Sequence, residues 1–431
     1  MAFDNEELNK RREERRKEKQ FYDAQVRLLK IGAIVTAVTM VVCVAAMLIT
    51  KGLVSLPKPT EPSQPQLEAT EPSGTTAPPE TTVPEETIPD TVIHFVAGGD
   101  VTVTDKVVMS GAAGGVYDYG DVFLDVTALL SGGDLTSVNF EGNLYSDTYG
   151  TATASAPPQL MTALRNAGVD LVQTANSFTN HNGPLGIRST LDGIRKVGLE
   201  PVGTFADSEE YQRTGGFTIR EVNGIRIAVV AFTKGMNSLG LPASAEDCVN
   251  LLYTDYSTTY QNVNTEKITS ILEAIAREKP DITIALLHWG GRSTDQINKT
   301  QEQIRDLMLA GGVDAIIGTH SAHVQKIDYD AQRGTVVAYS LGDLLGETRY
   351  SILLDLQITK SGKTGDVKLT GCEYVPIFCV DDMEEGGGMR LLRIREAILA
   401  YENRFVDRVS QATYEEMKSA LKSIESRVNG K

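Results

Sequence analysis

From residue 92 onward, short apolar runs alternate with stretches whose apolar residues recur every three or four positions. Apolar runs bounded by Gly, Asn and Asp predict strands, and the helical recurrence predicts amphipathic helices. Strands are expected at 93–97, 136–140, 170–174, 217–222, 225–232, 282–287, 315–318, 336–340 and 351–358. Helices are expected at 159–167, 187–197, 267–277, 301–310, 391–400 and 413–428. Asn223-Gly224, between two strand-like runs, predicts a two-residue hairpin turn. Alternation with hairpins predicts a mixed α/β sheet, not a purely parallel one.

The first ninety residues follow other patterns. Residues 31–50 (IGAIVTAVTMVVCVAAMLIT) carry no charge. Twenty helical residues span about 30 Å, the thickness of a hydrocarbon core, so a transmembrane helix is expected here. Nine Lys/Arg precede the run in residues 1–30 and little basic charge follows it, which predicts a cytoplasmic N-terminus and an extracellular C-terminal body. The long basic region and long apolar core favour an uncleaved anchor over a signal peptide. Residues 51–91 hold nine of the sixteen prolines among Thr, Ser and Glu. Such a segment buries too little apolar surface to offset chain entropy and reads as a disordered linker, with glycosylation left open. The expected order is tail 1–30, transmembrane helix 31–50, linker 51–91, body 92–380 and helical extension 381–431.

Composition sharpens this picture. Hydrophobic residues make up 41% of the 431, and charged ones 23%, which excludes a wholly disordered chain. The net charge is −16, of which −13 belongs to residues 92–431, so no nucleic-acid partner is expected. Four cysteines exclude a disulfide-dense scaffold. Cys43 lies in the expected span and Cys248 in a loop. Cys372 and Cys379 flank a strand-like EYVPIF, and either a bridge between them or three reduced thiols agrees with the sequence.

Several expected strands end in polar clusters: Gly98-Gly99-Asp100, Asn139-Phe140-Glu141, Ala175-Asn176-Ser177, His288-Trp289-Gly290, Gly318-Thr319-His320 and Ser340-Leu341-Gly342-Asp343. Strand ends line the ligand crevice of open α/β sheets. Asp, Glu, Asn and His arriving from separate strand ends form the layout of a metal site, and their mixture suits manganese, iron or zinc. Each residue also has a plainer reading: Asp100 as a turn cap, Glu141 satisfying loop amides, His288 as a buried histidine with a partner. The metal reading gains because four of the five histidines lie between residues 176 and 323. Trp289 is expected as core beside the cleft, and His94 as a structural residue within its strand.

The clusters, in order and spacing, resemble the bacterial CapA capsule-synthesis family associated with poly-γ-glutamate. The resemblance runs over about 93–345, through FVAGGDV, VNFEGNL, VQTANSFTNHNGPLG, IALLHWGG, IIGTHSAHVQ and VVAYSLGD. It implies a metallophosphoesterase-like α/β/β/α sandwich. It carries metal-ligand positions onto Asp100, Glu141, Asn176, His288 and His320, with Glu141 bridging when two ions are held. Manganese, iron or zinc is the implied cofactor.

The chain departs from the family pattern within the site. Asn176-Ser177-Phe178 stands where the family has Asn-Asn-His, so Phe178 removes an imidazole that stabilises or protonates the reacting group. His181 falls where Asp is usual. In GTHSAHVQ the second histidine, His323, falls one place late and Ala322 takes the family position. His181 and His323 are therefore the candidate catalytic side chains. Arg292-Ser293 replaces a common Glu-Tyr, and Asp343 a usual Asn.

The leading expectation is a membrane-anchored extracellular protein that helps make, export or anchor an anionic polymer. Its expected partners are the cell membrane, the polymer and other membrane proteins of a polymer-synthesis complex. A surface metal-dependent hydrolase with a degenerate site and a catalytically decayed scaffold are the alternatives. An acidic body facing an acidic polymer needs local positive charge, and Arg292 is the candidate source.

Overall fold

The computed structural model describes residues 88–381, 388–404 and 409–430. The expected tail, membrane span and nearly all of the linker lie outside the described residues. Among the described residues no helix is long and apolar enough to cross a membrane.

The body opens with β1 (Thr91–Thr102), followed by a small hairpin of β2 (Ala112–Ala113) and β3 (Val116–Tyr117). Then come β4 (Leu135–Glu141), β5 (Leu171–Gln173) and β6 (Glu200–Val202). Helices Gln159–Ala167 and Gly183–Lys196 connect these strands, which align in parallel. A second series follows: β7 (Thr218–Val222), β8 (Ile225–Thr233), β9 (Ile282–His288), β10 (Ala315–Thr319), β11 (Ile327–Asp330) and β12 (Thr335–Ala338). The chain then returns to the first sheet through β13 (Asp343–Leu345), β14 (Tyr350–Lys360), β15 (Val367–Asp381) and β16 (Met389–Arg393).

One sheet has eight strands in the order β16-β15-β14-β1-β4-β5-β6, with β13 pairing β1; the other has six, ordered β11-β12-β10-β9-β8-β7. Both mix parallel and antiparallel pairs, as the hairpin-containing pattern predicts. Asn223 and Gly224 take φ of 50° and 75°, the left-handed pair that a tight hairpin between twisted strands requires.

Period-two alternation builds the layers. Ile93, Phe95 and Ala97 of β1 meet Ile225, Ile227 and Val229 of β8 in a core between the sheets. Val96, Val138 and Val172 face outward against Leu160 and Leu164 of the first helical layer. Ala228, Val230 and Phe232 face Ile268, Ile271 and Ile275 of helix Thr265–Glu278 on the other side. The result is an α/β/β/α arrangement. Helix Gln411–Val428 adds Met417, Ala420 and Ile424 to the central core.

Two details differ from the sequence expectation. The helix expected at 391–400 begins at Ile394, because residues 389–393 pair with β15 as β16. Leu391 and Leu392 point to opposite sides of that sheet, into different cores. The segment after 380 is therefore partly sheet, not wholly a helical extension. Second, Cys372 and Cys379 lie on the same strand, β15. Seven extended residues separate them by about 23 Å, far beyond the reach of a disulfide. Cys248 and Cys372 are free thiols.

Candidate metal centre

The site forms where the ends of β1, β4, β8, β9 and β10 converge. At the end of β1, a Cβ on Gly99 would lie 1.8 Å from the Gly342 carbonyl oxygen, so glycine is needed for this close approach. It lets the Asp100 N–H donate to Gly342 O at 3.1 Å. The Asp100 carboxylate is fully buried; it accepts from Asn139 Nδ2 at 2.5 Å and from the His320 N–H at 3.0 Å. Burial pushes its pKa well above the usual carboxylate range, and Glu141 and Asp343 add to the rise.

Glu141 ends β4, and its two oxygens have different surroundings. Oε2 accepts from Thr102 Oγ1 at 2.8 Å and faces Arg292 Nη1 at 3.3 Å. Oε1 lies 3.2 Å from His288 Nε2 but has no hydrogen-bond partner. Burial raises Glu141 to about 7, with Arg292 opposing the rise.

His288 ends β9 and is wholly buried. Its Nε2 sits 3.2 Å from the Ser177 N–H nitrogen and 3.0 Å from Ser177 Oγ. Its Nδ1 lies 3.2 Å from Thr319 Oγ1 and 3.3 Å from the Asn139 amide nitrogen, so both ring nitrogens face hydrogen-bond donors. Burial holds this histidine well below its ordinary pKa, with His320, Lys234 and Arg292 acting in the same direction.

His320 follows β10 with φ of 87°, a left-handed conformation that costs a side-chain-bearing residue roughly 1–3 kcal/mol. Its N–H donation to Asp100 helps offset that cost. His320 Nδ1 is buried without a partner, and Nε2 lies 3.4 Å from Lys234 Nζ. Burial, then Lys234 and Arg292, lower its pKa to about 3. Both imidazoles are therefore neutral, the form in which a histidine ligates a metal.

Glu141, His288 and His320 bring one ligand atom each within 4.8 Å of one another. Two buried atoms of this group, Glu141 Oε1 and His320 Nδ1, have no hydrogen-bond partner. Unsatisfied buried polar atoms cost about 1–3 kcal/mol each, and a cation bound among them removes that cost. One carboxylate and two neutral imidazoles fit a divalent metal.

The other expected residues are placed differently. The Asn176 amide nitrogen donates to Phe140 O at 2.6 Å and Asn139 Oδ1 at 3.1 Å, while its oxygen accepts from the Phe178 N–H at 3.0 Å. It braces the loop around Glu141 instead of turning its oxygen to the centre. His181 directs Nε2 toward Ala152 O at 3.4 Å and is outside the Glu141–His288–His320 group. His323 is also outside that group; its Nδ1 is buried without a partner, and burial followed by Arg427 lowers its pKa. His94 pairs with Asp355 across β1 and β14. Trp289 is buried, and its Nε1 donates to Tyr339 O at 2.9 Å.

Two cations border the centre. Arg292 faces Glu141, lies 3.9 Å from Asp343 Oδ2 and pairs with Glu347 at 3.1 Å. Burial disfavours its charge, but Glu141 and Asp343 outweigh that and hold it protonated. Asp343 Oδ2 also accepts the N–H groups of Glu347 and Thr348, at 3.2 and 3.1 Å. Lys234, just after β8, donates to Gly290 O at 2.8 Å. The sequence reading missed Lys234; its one signal is position, since β8 ends on the same edge as the polar clusters. It also missed Asn139 as the donor that fixes Asp100.

Among known proteins, the Capsule biosynthesis protein CapA of Bacillus anthracis is 24% identical over 259 residues, 56% of this chain. The match spans 58% of that relative's length. A phosphatase from Mycoplasma pneumoniae superposes with a TM-score of 0.41 at 14% identity, covering 67% of this chain and 94% of the phosphatase. The sulfate thiohydrolase SoxB of Thermus thermophilus gives 0.35 at 12% identity, covering 75% of this chain and 47% of SoxB. The profile of the bacterial capsule synthesis protein family PGA_cap matches residues 94–348. That is more than half of the chain and includes the whole Glu141–His288–His320 group, so the chain belongs to this family.

Proposed function

We propose that this chain is a membrane-anchored extracellular protein whose cleft holds one divalent ion and engages an anionic polymer, such as poly-γ-glutamate, during its synthesis, export or anchoring. Family membership supports the capsule role. The uncharged run at 31–50, between Lys30 and Lys51, supports the anchor. The observation that carries the metal reading is the buried Glu141–His288–His320 group with its unpartnered oxygen and nitrogen.

The ligand set suits manganese, iron or zinc. When bound, such an ion polarises a carbonyl or phosphoryl oxygen as a Lewis acid. A single ion is favoured because the expected ligands Asp100 and Asn176 and the second oxygen of Glu141 are engaged, while beside them only Asp343 Oδ1 is a buried carboxylate oxygen left without a hydrogen-bond partner. Glu141 Oε2 is taken by Thr102 and Arg292, Asp343 Oδ2 by two backbone N–H groups, and Asn176 Oδ1 by Phe178. Arg292 supplies Glu141 and Asp343 with fixed positive charge.

The chain's own groups favour holding an anion over rapid turnover. Phe178 offers no proton, and His288 Nδ1 is enclosed by Thr319 Oγ1 and the Asn139 amide nitrogen. Hydrolysis is the second reading, favoured by Lys234: burial lowers the pKa of this amine, and it sits 3.4 Å from His320 Nε2, where it can donate a proton to a leaving group.

The test is metal analysis of the full-length protein purified without chelator, together with surface polymer on cells carrying each variant. The expected result is one ion per chain, lost in His288→Ala and Glu141→Gln with a matching loss of polymer. Wild-type protein free of manganese, iron and zinc, or variants with unchanged polymer, would overturn the proposal.

A further inference from the structure

A cavity of about 400 Å³ opens beside the centre, between the end of β8, the Gly290-Gly291 turn and the start of helix Lys299–Ala310. Lys234, Tyr260, Gln261, Asn298 and Lys299 contribute to its wall, and no Asp or Glu lines it. In a chain of net charge −16 this is a local reversal of sign. The acid in the adjoining loop, Asp255, is engaged there: its carboxylate accepts from Thr259 and from the N–H groups of Gln261 and Asn262.

Two further features give the cavity donor character. Lys234 links it to the centre, with Nζ 3.4 Å from His320 Nε2 and 4.8 Å from the centroid of the Tyr260 ring. The twelve-residue helix, closed by a reciprocal Asn298–Gln301 cap, presents its positive end here. Gln301 is 1% exposed, and its Nε2 has no hydrogen-bond partner. That atom lies behind the Gly290 backbone, 2.7 Å from where a Cβ on Gly290 would stand, and does not line the cavity. Gly290 has φ of 73°, so the left-handed turn and the tight contact both call for glycine.

We infer that this cavity is an oxyanion subsite, taking a carboxylate or phosphate of a substrate whose neighbouring group reaches the Glu141–His288–His320 centre. The inference rests on the proposed reading that the centre engages an anionic polymer. It supplies the local positive charge that an acidic body needs for such a ligand.

The experiment is calorimetric titration of the full-length protein at low ionic strength, with inorganic phosphate in one arm and γ-linked tetraglutamate in the other. Variants are Lys299→Glu, Lys234→Met and, for net charge alone, Lys363→Glu in the exposed loop between β14 and β15. Glutamate in the first helical turn suits the helix dipole, so Lys299→Glu preserves the fold. The expected result is binding of at least one probe, weakened about tenfold or more by Lys299→Glu and by Lys234→Met, and unchanged by Lys363→Glu; tenfold corresponds to about 1.4 kcal/mol, the scale of one close charge contact. Binding of tetraglutamate alone identifies a carboxylate site, and binding of phosphate alone a phosphate site. No binding of either probe, or equal effects of all three substitutions, overturns the inference. Metal content measured on the same samples separates the two ideas. Metal retained without anion binding removes the subsite and leaves the centre, whereas anion binding without metal does the reverse.

Discussion

Replacing Arg292 by Gln tests the asymmetry of Glu141 directly. The guanidinium stands 3.3 Å from Glu141 and 3.9 Å from Asp343, with its side chain 29% exposed and both carboxylates buried. Breaking a fully buried pair costs about 3–5 kcal/mol; discounting for the exposure of Arg292 leaves about 2 kcal/mol. The folded unit runs from Thr87 to Lys431. At roughly 2 cal/mol/K of unfolding entropy per residue, 2 kcal/mol lowers its Tm by about 3 °C. The assay is thermal unfolding of chelator-treated protein at pH 8 and pH 5, followed by addition of manganese with metal counting. Glu141, raised to about 7, is ionised at pH 8 and protonated at pH 5, so the loss is larger at pH 8. Excess manganese leaves wild type at one ion per chain, whereas Arg292→Gln, with Glu141 Oε2 and Asp343 uncovered, takes a second and recovers stability. A variant that melts like wild type at pH 8 without metal, or a wild type holding two ions, refutes the reasoning.

Three further outcomes follow from the geometry. In metal-free protein, Glu141 and Asp100 have raised folded pKa values, so their contribution is present at low pH and is lost as pH rises through those values, to about 7 for Glu141. His288 and His320 are lowered, so their penalty is felt below the unfolded value of 6.5 and disappears above it; Tm should rise in acid, level off between about pH 4.5 and 6.5, and fall toward pH 8, and a continued rise to pH 8 would refute this. At φ of 87°, His320→Gly should be more stable than His320→Ala by about 1 kcal/mol although both lose the metal, and the reverse order in a denaturant titration would remove the strain argument. Alkylation of denatured, unreduced protein should label both Cys372 and Cys379, and a protected pair would contradict their placement along β15.

The strands that carry the site were legible because each is an apolar run stopped by a polar cluster. Buried parallel strands such as β9 and β10 read as near-continuous hydrophobic sequence. Short or exposed strands were not legible. β6 contains Pro201, β13 has three residues after a glycine turn, and two of the four residues of β11 are exposed. At the site, the convergence of Asp100, Glu141, His288 and His320 followed from strand ends sharing an edge. Which atom each side chain presents did not. The direction of the Asn176 oxygen depends on the Phe178 N–H, and the state of Glu141 Oε2 depends on Arg292, 151 residues away. Such contacts leave no periodic trace in the chain.

The departures from the family pattern acquire a common physical sense in the folded molecule. Position 292 carries Arg where Glu is common, and position 343 carries Asp where Asn is usual. The two changes face each other across 3.9 Å, so a negative charge lost at one position is matched by one gained at the other. The guanidinium fork meets Glu141, Asp343 and Glu347 together, a geometry that lysine would not reproduce. The cleft then sets Arg292 and Lys234 against three buried carboxylates, Asp100, Glu141 and Asp343. Counting Glu347, which also pairs with Arg292, one divalent ion would bring that balance to neutral, and protonation of Asp100, whose pKa is raised, would turn it positive. A second ion would add two more charges beside a fixed guanidinium, a repulsive cost set against one remaining unpartnered carboxylate oxygen, Asp343 Oδ1. On the proposed reading, one ion beside Arg292 and Lys234 would make this recess less negative than the rest of a body of net charge −13, the polarity an acidic ligand requires.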